Sequence, residues 1–307
     1  MSNFFKELFQ TVNKGTQELS TAVRQAVVKQ TTEILEKTGS LKENTYEMAR
    51  GAVKGATEAG HAGKEAATLS YQAITGMMEG LLKEGSKPLH VVSESVSGAL
   101  HGAADVGHDL REMAKTSVKG SLEEAAHLGA DLTQSVQGAV IGAIQGVKRT
   151  GGDLLDTLTL VATEALDVTK KTGGDLVAAG KGLLNGLFHV SQEKGTVAAQ
   201  QLKESITHSL QSVQQTGGDL LASSRELSKH AFETALHLGF GGMEPKKLAQ
   251  TIIEIVIGFG EQIGANAGLL AKEAALGMVE VIERVNPTIA LSLKDALQPY
   301  LSTPATK

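Results

Sequence analysis

The sequence predicts an all-α protein, made of long amphipathic helices or helical hairpins in about eight glycine-punctuated repeats, with helical segments on both flanks. Three observations predict it. The string Thr-Gly-Gly-Asp-Leu begins at Thr150, Thr172 and Thr216, 22 and then 44 residues apart. Apolar residues recur in columns every three or four positions, the spacing of one helix face. Only 3% of the 307 residues are aromatic, so a core of Leu, Val, Ile and Ala suits packed helices better than a β-sandwich.

The 22-residue register extends in both directions without insertion, through Gly63, Gly85, Gly107, Gly129, Gly151, Gly173, Gly195, Gly217 and Gly239. Fifteen positions after the first eight glycines stand Met78, Leu100, Leu122, Ile144, Leu166, Phe188, Leu210 and Phe232. Eleven positions after the glycines, Val96, Val118, Val140, Leu184 and Ile206 belong to a second apolar column. Together these thirteen side chains form the candidate apolar face, for binding or for assembly. Polar columns lie opposite. One contains Glu79, His101, Glu123, Gln145, Asp167, His189, Gln211 and Glu233, and another Tyr71, Ser93, Lys115, Gln137, Thr159, Lys181, Lys203 and Arg225. The apolar arc is broader than a two-stranded coiled-coil seam and calls for a wide surface or several neighbours.

Two arrangements fit the glycine column, which supplies the candidate hinges or turns. In Lys170-Lys171-Thr172-Gly173-Gly174-Asp175, cations precede the glycines and an Asp follows, as where one helix ends and the next is capped. Helices of about 19 residues, roughly 28 Å long, would result. Alternatively the helix runs on, each Gly acting as a soft hinge. Preserved helical phase across the glycines slightly favours the continuous helix, and Pro88 interrupts the chain in either arrangement. Further glycines four apart, Gly76 and Gly80, Gly98 and Gly102, Gly138 with Gly142 and Gly146, and Gly182 and Gly186, form a smooth strip where another helix can approach. Gly138, Gly142 and Gly146 are the candidates for close helix packing.

Three segments follow: 1–62, an amphipathic N-terminal part with Phe4, Phe5, Leu8 and Phe9 near its start; 63–242, the repeat array; and 243–307, an apolar helical part. The first suits either an interfacial anchor or a capping helix for the array. The last is expected to pack as a helical hairpin or to dimerise, with Asn286 and Pro287 ending its long apolar stretch.

Other classes of function find little support. The absence of Cys removes disulfides, thiolate metal sites and cysteine nucleophiles. A net charge of -5 without a dense basic stripe disfavours nucleic acid. Glu7 interrupts what would be the apolar part of a signal peptide, and no secretion signal is expected. The most apolar stretch, 251–260, contains Glu254 and falls short of the roughly 18 residues of a membrane span. The nine His lack metal-ligand spacing, the Gly-Gly-Asp strings follow no strand, and Glu123 and Glu124 occupy positions expected to be solvated. No catalytic, metal or cofactor site is expected, and the chain is expected not to be an enzyme.

The columns resemble those of proteins with amphipathic helices in 11- or 22-residue repeats: exchangeable apolipoproteins, group 3 late-embryogenesis-abundant proteins and the phasins of bacterial storage granules. The resemblance covers residues 63–238 and rests on period and composition. It implies a coat or scaffold. The expected function is a non-catalytic protein that coats an apolar surface, a membrane leaflet or storage granule. The alternative is a self-assembling helical solenoid or fibre without lipid, and a more remote one is a membrane pore former. Expected partners are lipid or granule surface, or further copies in a homo-oligomer, with no small-molecule substrate; the expected location is cytoplasmic, with a peripheral place on a membrane or granule.

Overall fold

A computed structural model describes residues 16–38, 42–59, 64–194, 199–238, 244–285 and 287–302. Among these it contains thirteen α-helices and no strand. In order they are α1 (Thr16–Thr38), α2 (Lys42–Ala59), α3 (Lys64–Lys83), α4 (Pro88–Asp105), α5 (Leu110–His127), α6 (Leu132–Thr150), α7 (Leu154–Lys171), α8 (Leu176–Lys194), α9 (Ala199–Gln215), α10 (Leu220–Leu238), α11 (Pro245–Gln262), α12 (Ala267–Val285) and α13 (Pro287–Leu301). Gly63, Gly195, Gly239 and the N-terminal Phe4, Phe5, Leu8 and Phe9 lie outside the described residues.

The helices end at the repeat glycines, which corrects the continuous helix favoured from phase. Gly85, Gly107, Gly129, Gly151, Gly173 and Gly217 have φ between 68° and 80°. A side chain at such an angle crowds the following carbonyl, so glycine is the residue that ends a helix this way. At Gly129, the amides of Ala130 and Gly129 donate back to the carbonyls of Ala125 and Ala126 at 2.8 and 3.1 Å. This paired closure satisfies carbonyls that the helix end leaves open. Two residues on, the Asp131 carboxylate accepts the Gln134 amide at 2.8 Å and caps α6. Asp109, Asp153, Asp175 and Asp219 cap α5, α7, α8 and α10 in the same way. Gly264 and Asn266 repeat the device between α11 and α12, beyond the 22-residue register. Pro88 stands in the first turn of α4, where its missing N–H is no loss.

The chain divides into two compact units, 1–174 and 175–307. The divide falls inside the repeat array, at a turn that resembles the others in sequence. In the first unit, successive helices reverse direction and sort into two layers, α1, α3, α5 and α7 in one and α2, α4 and α6 in the other. The second unit has α8, α10 and α12 in one layer and α9, α11 and α13 in the other. Helices two apart therefore run parallel, side by side, and the core lies between the layers.

Small residues set the spacing within a layer. A Cβ on Gly138 of α6 would stand 2.5 Å from the Leu89 carbonyl oxygen of α4, and one on Gly146 would stand 2.6 Å from the Leu100 side chain. Gly142 faces the Ser93 carbonyl of α4, while Gly98 and Gly102 of α4 face the Tyr46 and Arg50 carbonyls of α2. In the second unit, Gly277 of α12 faces the Arg225 carbonyl of α10. Some buried hydroxyls bond back into their own helix, as Ser95 does to the Val91 carbonyl at 2.6 Å and Thr169 to Ala165 at 2.7 Å, whereas those of Ser97, Ser121 and Ser228 have no hydrogen-bond partner. A core poor in aromatics thus packs by close backbone approach.

Candidate functional site: a polar ladder across parallel helices

The thirteen residues of the candidate apolar face, Met78, Val96, Leu100, Val118, Leu122, Val140, Ile144, Leu166, Leu184, Phe188, Ile206, Leu210 and Phe232, are all buried, none more than 2% exposed. In this fold they face neighbouring helices of the same unit. Those from α8 to α10 share a cluster with Ile252, Val256 and Phe259 of α11 and Met278 and Ile282 of α12. Among the described residues, the exposed large hydrophobic side chain is Leu221, at 39%.

The polar columns carry a second system. Asp167, His189, Lys203 and Gln211 meet solvent, but other members cross between parallel helices of one layer. Arg24 of α1 donates to Glu79 of α3 at 3.0 Å and to Glu124 of α5 at 2.7 Å, tying three helices together. Tyr71 of α3 donates to Glu123 of α5 at 2.5 Å. Arg111 and Lys115 of α5 reach Asp156 and Glu164 of α7 at 2.5 and 3.8 Å. In the other layer Tyr46 hydrogen-bonds His101, Arg50 holds Asp105 at 2.8 Å, and Arg149 of α6 lies 4.6 Å from the centre of the Tyr46 ring. The second unit repeats the scheme, with Lys181 on Glu226 at 2.8 Å, Lys229 on Glu280 at 2.6 Å, and Arg225 on Glu280.

The expectation that Glu123 and Glu124 are solvated is corrected here. Glu124 is 4% exposed, because α1 and α3 cover the column that an isolated helix would leave open. Burial raises its pKa above the ordinary carboxylate value, and Arg24 offsets this only in part. Its Oε1 atom has no hydrogen-bond partner. Burial likewise raises Glu164, against the opposing charges of Lys115 and Lys171. Tyr71 is pushed up by burial and then by its bond to Glu123. The more exposed rungs go the other way: the Arg50 hydrogen bond lowers Asp105, and those from Lys229 and Arg225 lower Glu280.

Chemically this is a set of interhelix ties. Tyr46 hydrogen-bonds the His101 Nδ1, the His101 Nε2 lies 3.7 Å from Asp105, and Asp105 is held in turn by Arg50. Among the described residues, no group of three or more His, Asp or Glu could hold a metal ion, and no helix is long and apolar enough to cross a membrane. The residues that sequence reasoning missed are Arg24, Arg50 and Glu164, together with the role of Glu124. One signal was available: Arg24 and Glu79, Tyr46 and His101, Arg50 and Asp105, and Arg225 and Glu280 are all 55 residues apart. No protein-family model matches the chain. A comparison with curated proteins finds no relative.

Proposed function

We propose that this chain is a non-catalytic scaffold of stacked helical hairpins that satisfies its apolar columns internally and folds without lipid. The observation that carries this reading is the burial of all thirteen column residues against helices of their own unit. Turning even four of them outward exposes side chains worth about 1.5–3 kcal/mol each, or about 6–12 kcal/mol in all. That is comparable to the whole stability of a domain. A lipid surface would return the apolar part. It would not return the close backbone contacts at Gly138 and Gly142 or the Arg24 bridge, which exist only between helices of the folded stack.

The test is flotation with neutral liposomes, with circular dichroism of the same samples. A scaffold stays at the bottom of the gradient and shows the same helix content with and without vesicles. Flotation accompanied by a gain of helix would replace this reading with that of a surface coat.

A further inference from the structure

Across the polar ladder, cations are matched to carboxylates: Arg24, Arg50, Arg111, Lys115, Lys181, Arg225 and Lys229 each have one within ion-pair distance. Lys119 of α5 departs from this pattern. It is partly buried, has no carboxylate within that distance among the described residues, feels the Glu164 charge only at longer range, and lies 5.6 Å from the centre of the Tyr71 ring. It borders a groove of about 370 Å³ between α3 and α5, lined by Thr68 and Tyr71 on one wall and Glu112, Lys115, Thr116 and Lys119 on the other.

We propose that this groove binds a small phosphate-bearing anion between Lys115 and Lys119. The two lysines stand one helical turn apart on the same face of α5, a spacing at which like charges repel and an anion set between them relieves the repulsion. Lys115 is available for it: its side chain is 61% exposed, and its contact with Glu164 is a loose 3.8 Å. The Tyr71 hydroxyl is committed to Glu123, which leaves the ring as a side wall. Thr116 places a hydroxyl on the same wall as the two cations. Glu112 lies on this face about 10 Å along the axis from Lys119 but only about 4.5 Å from Lys115, so its charge pushes an anion toward the Lys119 side of Lys115. A compact phosphate or diphosphate group fits these limits. A nucleic-acid strand does not, because two lysines in a chain of net charge -5 give no track for a backbone. This site is independent of whether the scaffold meets lipid.

The absence of Trp makes tyrosine emission a usable reporter, with three Tyr in the chain and Tyr71 at the groove. Inorganic pyrophosphate, inorganic phosphate and glycerol phosphate are titrated into the full-length protein at low ionic strength, the last two arms separating a free from an esterified phosphate. Saturable binding at one site is expected for at least one probe, with the optical response absent in Tyr71→Phe and binding confirmed there by calorimetry. Lys119→Gln is the cleanest variant, since it breaks no ion pair within 4 Å, and should weaken binding about tenfold. Thr116→Glu should abolish it, and Lys29→Gln, far out in solvent, should leave it unchanged. A thermal melt of each variant checks that it is folded. Lack of saturation with all three probes, or equal affinity in folded Lys119→Gln, overturns the proposal.

Discussion

Gly138→Ala tests the close approach of parallel helices on which the layers depend. The new Cβ would stand 2.5 Å from the Leu89 oxygen, 3.1 Å from the Val92 Cβ and 3.2 Å from the Ser93 nitrogen. A carbon–oxygen contact wants at least about 3.3 Å, so α6 must withdraw from α4 by roughly 0.8 Å. The obstacle is backbone and cannot rotate away. Overpacking of this kind costs about 1–3 kcal/mol, and contact with a rigid carbonyl belongs at the upper end. Alanine returns about 1 kcal/mol of helix propensity, which leaves a net loss of about 2 kcal/mol. Gly258→Ala supplies the baseline, because that glycine is exposed within α11 and its Cβ would meet nothing within 4 Å. It should gain the propensity term alone, about 1 kcal/mol. Calorimetry should therefore show the first unit melting about 4–8 °C lower in Gly138→Ala and the second about 2–4 °C higher in Gly258→Ala. Equal stabilisation by both substitutions would refute backbone-to-backbone packing of α4 and α6.

Arg24→Ala leaves Glu124 buried without its cation and should destabilise by about 2–4 kcal/mol, reduced from the fully buried case by the partial exposure of Arg24. Glu124→Gln in that background should recover most of the loss, and strictly additive urea midpoints would contradict the pairing. The pKa of Glu164 is raised in the folded state, so its ionisation opposes folding above that pKa, and the penalty disappears once both states are protonated. Glu164→Gln should thus stabilise at neutral pH, with a benefit that fades on acidification below the ordinary carboxylate value; urea titrations showing a pH-independent benefit would exclude this cause. At the turns, Gly129→Ala meets no steric neighbour but must adopt φ of 68°, and should cost about 1–2 kcal/mol by chemical denaturation. Asp131→Ala should cost about 1 kcal/mol through its lost cap, and no change in either variant would contradict the turn geometry.

Much of the fold is legible in the sequence because the turn chemistry is local. Thr172-Gly173-Gly174-Asp175 contains both the helix stop and the next cap, and the same string recurs in register. Helical phase, by contrast, could not distinguish a continuous helix from hairpins. Twenty-two residues make about six turns at 3.67 residues per turn, so the face returns to register whether or not the chain reverses. The ladder was hidden for another reason. Arg24 and Glu79 are 55 residues apart, two and a half periods, and pairing them requires knowing that α1 and α3 share a layer. Read on one helix, Glu124 is a solvated carboxylate; inside the layer it is a buried acceptor. The groove at Lys119 likewise depends on Tyr71, which belongs to another helix.

The central claim is that these helices order one another. Hydrogen exchange of the lipid-free protein, followed amide by amide, tests it most directly. If the apolar columns are satisfied internally, amides around Val96, Leu122 and Ile144 in α4, α5 and α6 will exchange only through cooperative unfolding, with protection unchanged by neutral vesicles. Weak protection in buffer that rises when vesicles are added would contradict the account, because lipid would then supply the order that neighbouring helices are held to supply.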